Sequence, residues 1–303
     1  MVRTSEARTL GVSVERTVET SVAVQPHRKI WLCADDYGIS PAVNSAIRDL
    51  IGRERLNATS VMVVAPGFHR SEAASLNALR AHGARVAIGL HLTLSAPFKP
   101  LTDGFTPLTD SAFPSISMML ARAGLRQLDR KALDAEVAAQ IRLFMHEFNR
   151  APDFIDGHQH VHIFPQVRDA LFMAAHRMAP DAWIRQCGRV TPLAARVGDP
   201  KGLVLDLLSK RFRERAATLG VRTNPAFAGT YTFNDSADFA ALFPRFLDGL
   251  PDGGLIMCHP GTVDAELRRL DPLTTLREKE YAYFRGETFP AVLASQDVSL
   301  AEP

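Results

Sequence analysis

Three short apolar runs that each end in acidic or imidazole side chains constrain the fold of this chain most strongly. The first run is followed by Asp35 and Asp36, the second by His91, and the third by Asp156. In parallel α/β folds the carboxyl ends of the strands lie at one edge, where active sites are built. The pattern therefore predicts one shared site at that edge. The runs cover residues 30–34, 86–90 and 154–155.

The third run leads into an alternation of Asp156, His158, His160 and His162. Successive side chains of an extended backbone point to opposite faces, so these four could project to one side. Imidazole suits zinc and other transition metals, although histidines also orient loops by hydrogen bonding. Together with the other two run ends, the alternation favours a metal site, for which one or two of these histidines suffice.

Short apolar runs alternate with helical patterns from Lys29 onward, which predicts repeated βα units and a mostly parallel sheet. With 303 residues, 46% of them hydrophobic, the chain can bury one large α/β core. No second domain is indicated. We predict a flexible N-terminal extension over residues 1–27 and a single catalytic domain over residues 28–303.

Charge and hydropathy exclude several classes of protein. The formal net charge is +2 and there is no dense Lys/Arg run, so nucleic acid is not an expected partner. No apolar stretch approaches the roughly 18 residues of a membrane span, and the start lacks the pattern of a secretory signal. We therefore expect a cytoplasmic protein. Its widely spaced Cys33, Cys187 and Cys258 are expected as buried thiols.

Local signals predict individual helices and strands. Ser40 is a plausible N-cap and Pro41 suits the first helical position, and apolar residues then recur at helical spacing. The same spacing predicts a helix over residues 133–148. Further strands are predicted at 60–64, 153–155, 183–186, 227–228 and 255–258.

Two other segments are candidates for the site. The stretch from His91 to Leu120 is rich in Pro, Thr, Ser and Phe and predicts a long loop, either a lid or a surface excursion, with Phe98 and Phe105 as substrate-facing candidates. The strand at 255–258 ends in His259, which could exchange a proton or merely be positioned by the following Pro-Gly turn.

Four motifs, taken in their order along the chain, resemble one known family. They are Ala34–Ser40, Ile88–Leu94, Asp156–His162 and Met257–Pro260. Together they resemble the YdjC-like carbohydrate deacetylases, which include chito-oligosaccharide deacetylase and the hopanoid-biosynthesis-associated deacetylase. The resemblance covers residues 28–260.

The resemblance implies a distorted, TIM-like β/α barrel that binds one divalent metal ion, Mg or Zn, and removes the acetyl group from an N-acetylated sugar or glycoconjugate. It maps the metal ligands onto Asp36, His91 and His158. One carboxylate and two neutral imidazoles leave coordination positions open for water and the acetyl oxygen, and the two histidines favour a transition metal.

The resemblance also implies roles in proton transfer. Asp35 resembles the general base, and His259 the acid that protonates the leaving amine. Arg185 is expected to orient the base or bind substrate. Because a metal-binding histidine commonly has a partner that fixes its ring, His160 is a further candidate for that position or for substrate binding.

Other functions are compatible with the same residues. Asp and His ligands also organise phosphate, so a metal-dependent phosphoester hydrolase is one alternative, which a second, closely spaced metal would support. A non-catalytic carbohydrate-binding protein that keeps the metal for structure is another. The exposed helices of a barrel could also support a homodimer.

Overall fold

The computed structural model describes residues 27–190 and 200–303, with backbone only over 200–202. The predicted extension over residues 1–27 lies outside this part of the chain except for His27. The His27 ring lies 2.9 Å from the carboxylate of Asp297 and 2.8 Å from the Ser299 hydroxyl, so it is tied to the C-terminal end of the chain.

All pairings among the strands of the described residues are parallel, which confirms the predicted sheet type. The hydrogen-bonded order is β5-β4-β3-β2-β1-β7-β6, so β1 to β5 lie side by side in chain order, and β7 and β6 continue the sheet on the other side of β1. The strands are β1 (Arg28–Tyr37), β2 (Ala58–Val61), β3 (Ala87–Leu92), β4 (Phe154–Gly157), β5 (Trp183–Ile184), β6 (Phe227–Ala228), β7 (Leu255–Cys258) and β8 (Val298–Leu300).

The sheet curls into the distorted TIM-like β/α barrel that the family resemblance implied. The two end strands of the order, β5 and β6, approach each other where Arg189, just beyond β5, forms a parallel bridge with Phe227. The eighth strand was not predicted, and it pairs with the first three residues of β1. A regular barrel has eight equivalent strands, so the short β5 and β6 and the displaced β8 account for the distortion.

Helices follow most of the strands and cover the barrel. They are α1 (Pro41–Gly52), α2 (Arg70–Ala81), α3 (Ile116–Gly124), α4 (Arg130–Phe148), α5 (Pro165–Met178), α6 (Pro200–Thr218), α7 (Phe239–Leu247), α8 (Ala265–Leu270), α9 (Thr275–Arg285) and α10 (Thr288–Ser295). No helix in the described ranges is both long and apolar enough to cross a membrane.

Local sequence signals account for the start of α1. The Ser40 hydroxyl accepts a hydrogen bond from the Val43 amide, and Pro41 occupies the first turn, as predicted. The apolar stripe of α1 is buried against the barrel. The predicted helix over 133–148 lies within α4, which Asp129 caps by accepting from the Ala132 amide.

Two strands end earlier than predicted. The strand predicted over 60–64 is found at Ala58–Val61, since the chain turns at Met62, whose carbonyl accepts from the Ala65 amide. The strand predicted over 183–186 ends at Ile184.

One glycine permits a close contact inside the barrel. The ring of Phe154 lies against Gly89 of β3, where an added Cβ would come within 2.5 Å of that ring. Phe154 stacks on Trp183 of β5 with ring centroids 4.5 Å apart. Close packing of this kind fixes β3, β4 and β5 relative to one another, and their carboxyl ends carry much of the site.

Candidate active site

Three of the predicted metal ligands converge at the carboxyl edge of the sheet. His158 Nδ1 lies 2.9 Å and His91 Nε2 3.2 Å from the same oxygen, Oδ1 of Asp36. One donor atom from each residue lies within 4.8 Å of the others, and all three side chains are buried. A carboxylate oxygen and two imidazole nitrogens at this spacing form a donor set that suits zinc and similar divalent ions.

The backbone explains how two adjacent acids serve different partners. The pairing of β1 with β2 is irregular between Ala34 and Tyr37, and Asp36 has a positive φ of 67°. This conformation directs Asp36 to the two histidines, whereas Asp35 faces Arg185. The backbone conformation at the end of β1 therefore makes the two adjacent carboxylates point in different directions.

Asp156 fixes the ring of His91 from the side opposite Asp36. Its Oδ1 lies 2.6 Å from His91 Nδ1, and the Ser60 hydroxyl lies 2.9 Å from the same nitrogen. Although burial lowers the pKa of His91, Asp156 and Asp36 raise it to about 10. The residue that orients the His91 ring is therefore Asp156, whereas the sequence had suggested His160 for this role.

Arg185 forms a fully buried ion pair with the proposed base. Its two terminal nitrogens lie 2.7 and 2.6 Å from the two carboxylate oxygens of Asp35, and Nη2 is 2.5 Å from Asp156 Oδ2. Burial raises the pKa of Asp35, but the ion pair with Arg185 lowers it by more, so that the pKa lies well below its usual range. Asp35 is therefore ionised at neutral pH, in an orientation set by Arg185.

The structure also groups Cys33, Asp35 and Asp156 within metal-binding distance of one another. The guanidinium of Arg185 already contacts both carboxylates of this group. The remaining carboxylate oxygen, Oδ1 of Asp156, faces His91, so this group leaves no carboxylate oxygen for a second cation and does not fit a metal site.

His259 approaches the site from the end of β7. Its backbone amide donates to Glu280 Oε2 at 2.5 Å, and Phe233 packs on its ring with centroids 5.7 Å apart. Burial lowers the pKa of His259, while Asp36 opposes that shift. The buried Nδ1 of His259 has no hydrogen-bond partner within the described ranges.

The prediction that the histidines alternate on an extended strand is wrong. Strand β4 ends at Gly157, and the chain continues in tight turns over His158–Ile163 in which Gln159 and His160 have φ values of 52° and 58°. His160 lies 3.6 Å from Cys187 Sγ, and burial together with Arg185 lowers its pKa to about 3. His162 is buried with its Nε2 2.9 Å from the carbonyl oxygen of Arg185. Of the three histidines in this segment, only His158 lies beside Asp36.

Helix α9 supplies two buried site residues that sequence reasoning missed, Arg277 and Glu280. Arg277 Nη2 lies 2.6 Å from Asp36 Oδ2, and Glu280 accepts from Tyr231 as well as from the His259 amide. Burial raises the pKa of Glu280 to about 7. These residues lie in a charged stretch that resembles a solvated surface. The available signal is that they share the buried face defined by the apolar residues Leu276, Tyr283 and Phe284.

The two aromatic residues proposed to face substrate are both buried. Phe98 packs edge-on against His158 at 5.5 Å, and Phe105 packs against Phe113 at 4.9 Å. The assignment of Phe105 is therefore wrong, and Phe98 covers a side of the His158 ring. The aromatic side chain that is exposed beside the site is Phe233, with 42% of its surface accessible.

Helix α4 anchors the loop that holds Phe98. The carboxylate of Glu136, which is fully buried, accepts from the Leu101 amide and from the amide and hydroxyl of Thr102. Gln140 accepts from the Thr93 amide and donates to the Thr93 carbonyl. The predicted long loop after β3 is thus fixed at its start by buried polar contacts.

We expect Glu136→Ala to lower the free energy of unfolding by about 3 kcal/mol, because it leaves several buried donors without an acceptor. Urea denaturation measures the effect. Asp134→Ala on the same helix is the control, since its ion pair with Arg130 is exposed and its loss should cost less than about 0.5 kcal/mol. Equal effects of the two substitutions would contradict an anchoring role for Glu136.

Comparison with known proteins assigns the chain to a family. Residues 29–295 match the family model described as YdjC-like protein. The chain belongs to the YdjC-like family. The chitooligosaccharide deacetylase of Escherichia fergusonii is 25% identical to this YdjC-like protein over 248 residues, which cover 80% of the chain and 85% of that enzyme. The chitooligosaccharide deacetylase of Yersinia pestis (strain Pestoides F) is 28% identical over 241 residues, which cover 77% and 82%.

A solved structure shares the fold of this YdjC-like protein. It comes from Enterococcus faecalis V583 and carries a provisional assignment as a cellobiose-phosphate cleavage protein. The two structures superpose with a TM-score of 0.71 at 22% identity, and the match covers 91% of this chain and 97% of the other. At that identity the likeness shows the barrel architecture alone.

Proposed function

We propose that this YdjC-like protein is a divalent-metal-dependent deacetylase that hydrolyses the acetamide group of an N-acetylated sugar. The observation that carries the proposal is the buried cluster of Asp36, His91 and His158, which opens at the same edge of the sheet as Asp35 and His259. The two relatives named chitooligosaccharide deacetylase support this substrate class.

In this proposal Asp36, His91 and His158 hold the ion. A bound divalent ion supplies Lewis-acid polarisation of the amide carbonyl and lowers the pKa of a nearby water. Asp156 orients His91, so that its Nε2 faces Asp36 and its Nδ1 is occupied elsewhere. The nitrogen donors favour zinc on chemical grounds, and magnesium is the other candidate.

Asp35 and His259 divide the proton transfers of amide hydrolysis. The carboxylate of Asp35 takes a proton from the attacking water, and protonated His259 gives one to the departing amine nitrogen. Burial lowers the pKa of His259, so its ring must take up a proton from solvent before the amine leaves, and Asp35 returns the proton it took from water to solvent when acetate departs. Arg185 holds Asp35 in a fixed orientation throughout.

The same geometry argues against the phosphoester-hydrolase alternative. A two-metal phosphoesterase needs a second cation site about 4 Å from the first. The candidate group at Cys33, Asp35 and Asp156 already contains the guanidinium of Arg185. The proposed reaction therefore uses a single ion.

Acetate release tests the proposal. Metal-stripped protein is supplied separately with Zn²⁺, Mg²⁺, Mn²⁺ or Co²⁺ and assayed on N-acetylated mono- and oligosaccharides beside His158→Ala. We expect metal-dependent release that this substitution abolishes. Folded, metal-loaded protein that binds sugar without releasing acetate would instead favour the non-catalytic carbohydrate-binding alternative.

Phe233 is the exposed aromatic side chain that packs on the proposed acid, and it is placed to contact the apolar face of a sugar. We expect Phe233→Ala to raise KM about fivefold to tenfold with little change in kcat, since it removes roughly 1–1.5 kcal/mol of contact made equally in ground and transition states. Leu125→Ala, at an exposed apolar residue that follows α3, is the control. A fall in kcat with KM unchanged would contradict this role.

The finer assignments are also proposals with direct tests. Elemental analysis of the purified protein distinguishes zinc from magnesium as the native ion. Light scattering tests the homodimer, and fractionation of cells tests the cytoplasmic location.

A further inference from the structure

Arg277 places a fully buried positive charge against a residue of the proposed cation site. Its Nη2 lies 2.6 Å from Oδ2 of Asp36, and its side chain has no accessible surface. The other carboxylate oxygen, Oδ1, faces the nitrogens of His91 and His158. Burying a guanidinium is costly unless it is paired, and placing it next to a cation site opposes metal binding.

We propose that Arg277 is a positioning residue that limits Asp36 to one metal-facing oxygen and keeps the affinity of the site for divalent ions below what its three ligands would otherwise give. This inference rests on the metal site of the proposed function. It concerns how the ligand set is tuned, and it does not depend on the identity of the substrate.

The two oxygens of Asp36 have different partners, and this affects how the site would coordinate an ion. A carboxylate that offers a single oxygen fills one coordination position, whereas one that offers both fills two. Asp36, His91 and His158 then leave more positions for water and the substrate oxygen. Because Arg277 draws negative charge away from Asp36, the ligand set neutralises less of the charge of the ion, and the ion remains a stronger Lewis acid.

Asp271 weakens the effect of Arg277 on Asp36, because it also binds the Arg277 guanidinium. Its Oδ2 lies 2.8 Å from the same Nη2 of Arg277 that contacts Asp36. One guanidinium nitrogen is therefore shared by two carboxylates, and Asp271 compensates part of the positive charge that Asp36 experiences. Removing the charge of Asp271 should strengthen the action of Arg277 on the metal site, and removing Arg277 should abolish it.

If Arg277 had only a structural role, its removal would weaken metal binding instead of strengthening it. The Nε of Arg277 also donates to the Leu273 carbonyl at 3.0 Å, so the side chain helps to fix the start of α9. If this were its whole function, its removal would loosen Asp36 and weaken metal binding. The sign of the change in metal affinity therefore separates the two roles.

The experiment measures Zn²⁺ and Mn²⁺ binding to the metal-stripped full chain by calorimetry, with a competing chelator where needed, for wild type, Arg277→Met and Asp271→Asn. We expect Arg277→Met to bind roughly tenfold to a hundredfold more tightly, a size typical of groups adjacent to metal ligands. We expect Asp271→Asn to bind more weakly than wild type. Zinc X-ray absorption should detect an additional oxygen neighbour in Arg277→Met.

Weaker or unchanged binding by Arg277→Met overturns the proposal, as does tighter binding by Asp271→Asn. Circular dichroism checks that both variants are folded, and tighter binding by Asp271→Asn still overturns the proposal if Arg277→Met does not fold. No substrate is used, so a failed deacetylase assay leaves the result intact. The proposed metal site itself is judged separately by loss of binding in His158→Ala.

Discussion

Asparagine in place of Asp35 is expected to lower kcat for acetate release by about 10²- to 10⁴-fold, the range that a general base contributes, while the protein keeps its metal. The expectation follows from the division of the two adjacent acids. Asp36 faces the histidines, whereas Asp35 contacts Arg185 and lies outside the proposed ligand cluster of Asp36, His91 and His158. Asparagine has the same shape but cannot take a proton from water.

Bound metal and folding have to be measured on the same Asp35→Asn sample. Elemental analysis should give wild-type metal content, in contrast to His158→Ala, which should lose both metal and activity. Arg185 retains Asp156 as a charged partner in the variant, so the protein should stay folded. A metal-loaded Asp35→Asn protein with kcat within a fewfold of wild type would exclude Asp35 as the base.

Short-range patterns in the sequence could predict a mostly parallel sheet with one shared site, whereas the barrel and the choice of three ligands were implied by the resemblance to the YdjC-like family. Buried parallel strands appear in a sequence as compact apolar runs. The polar residues that follow these runs lie together at the carboxyl edge of the sheet. Asp36, His91 and His158 each follow such a run or lie close to its end, and the structure brings them together. Ser40 and Pro41 identified the start of α1 for an equally local reason.

The parts that could not be predicted depend on backbone conformation or on distant contacts. The positive φ values of Gln159 and His160 break the period-two pattern, and of the three histidines after β4 only His158 lies beside Asp36. Arg277 meets Asp36 across 241 positions of sequence, and its neighbours Glu278 and Lys279 are exposed. The apolar residues of α9 indicate which of its faces is buried, but they give no local sign that this face packs against an active site.

The pH dependence of metal binding should expose the unusual state of His91. Although burial opposes it, Asp156 and Asp36 raise the pKa of His91 from 6.5 to about 10 in the metal-free protein, so the ring is protonated at neutral pH. Metal needs the neutral ring and must displace that proton. Zinc affinity should therefore rise by up to about tenfold per pH unit between roughly pH 6.5 and 10, with about one proton released from this residue per ion.

The same shift determines how stability changes with pH. A histidine whose folded pKa exceeds its unfolded value stabilises the fold fully below about pH 6.5, and this contribution is lost as pH rises towards 10. The Tm of the metal-free protein should therefore fall over that pH range as His91 loses its proton. The zinc-loaded protein should not show this fall, because the ion replaces the proton. The increase in Tm on adding zinc should consequently grow as pH rises.

Calorimetry in buffers with different ionisation enthalpies measures the released protons, and Asp156→Asn is the matched variant. Asp156 makes the largest favourable contribution to the charged ring, so the substitution should lower the pKa of His91 and reduce proton release at pH 8. Proton release that is absent in wild type would mean that His91 is neutral before the metal arrives, and equal release from the two proteins would mean that Asp156 does not hold the proton on His91. A protonated His91 paired with Asp36 and Asp156 instead makes the empty site a stable ion-pair network, in which zinc replaces a proton between two carboxylates.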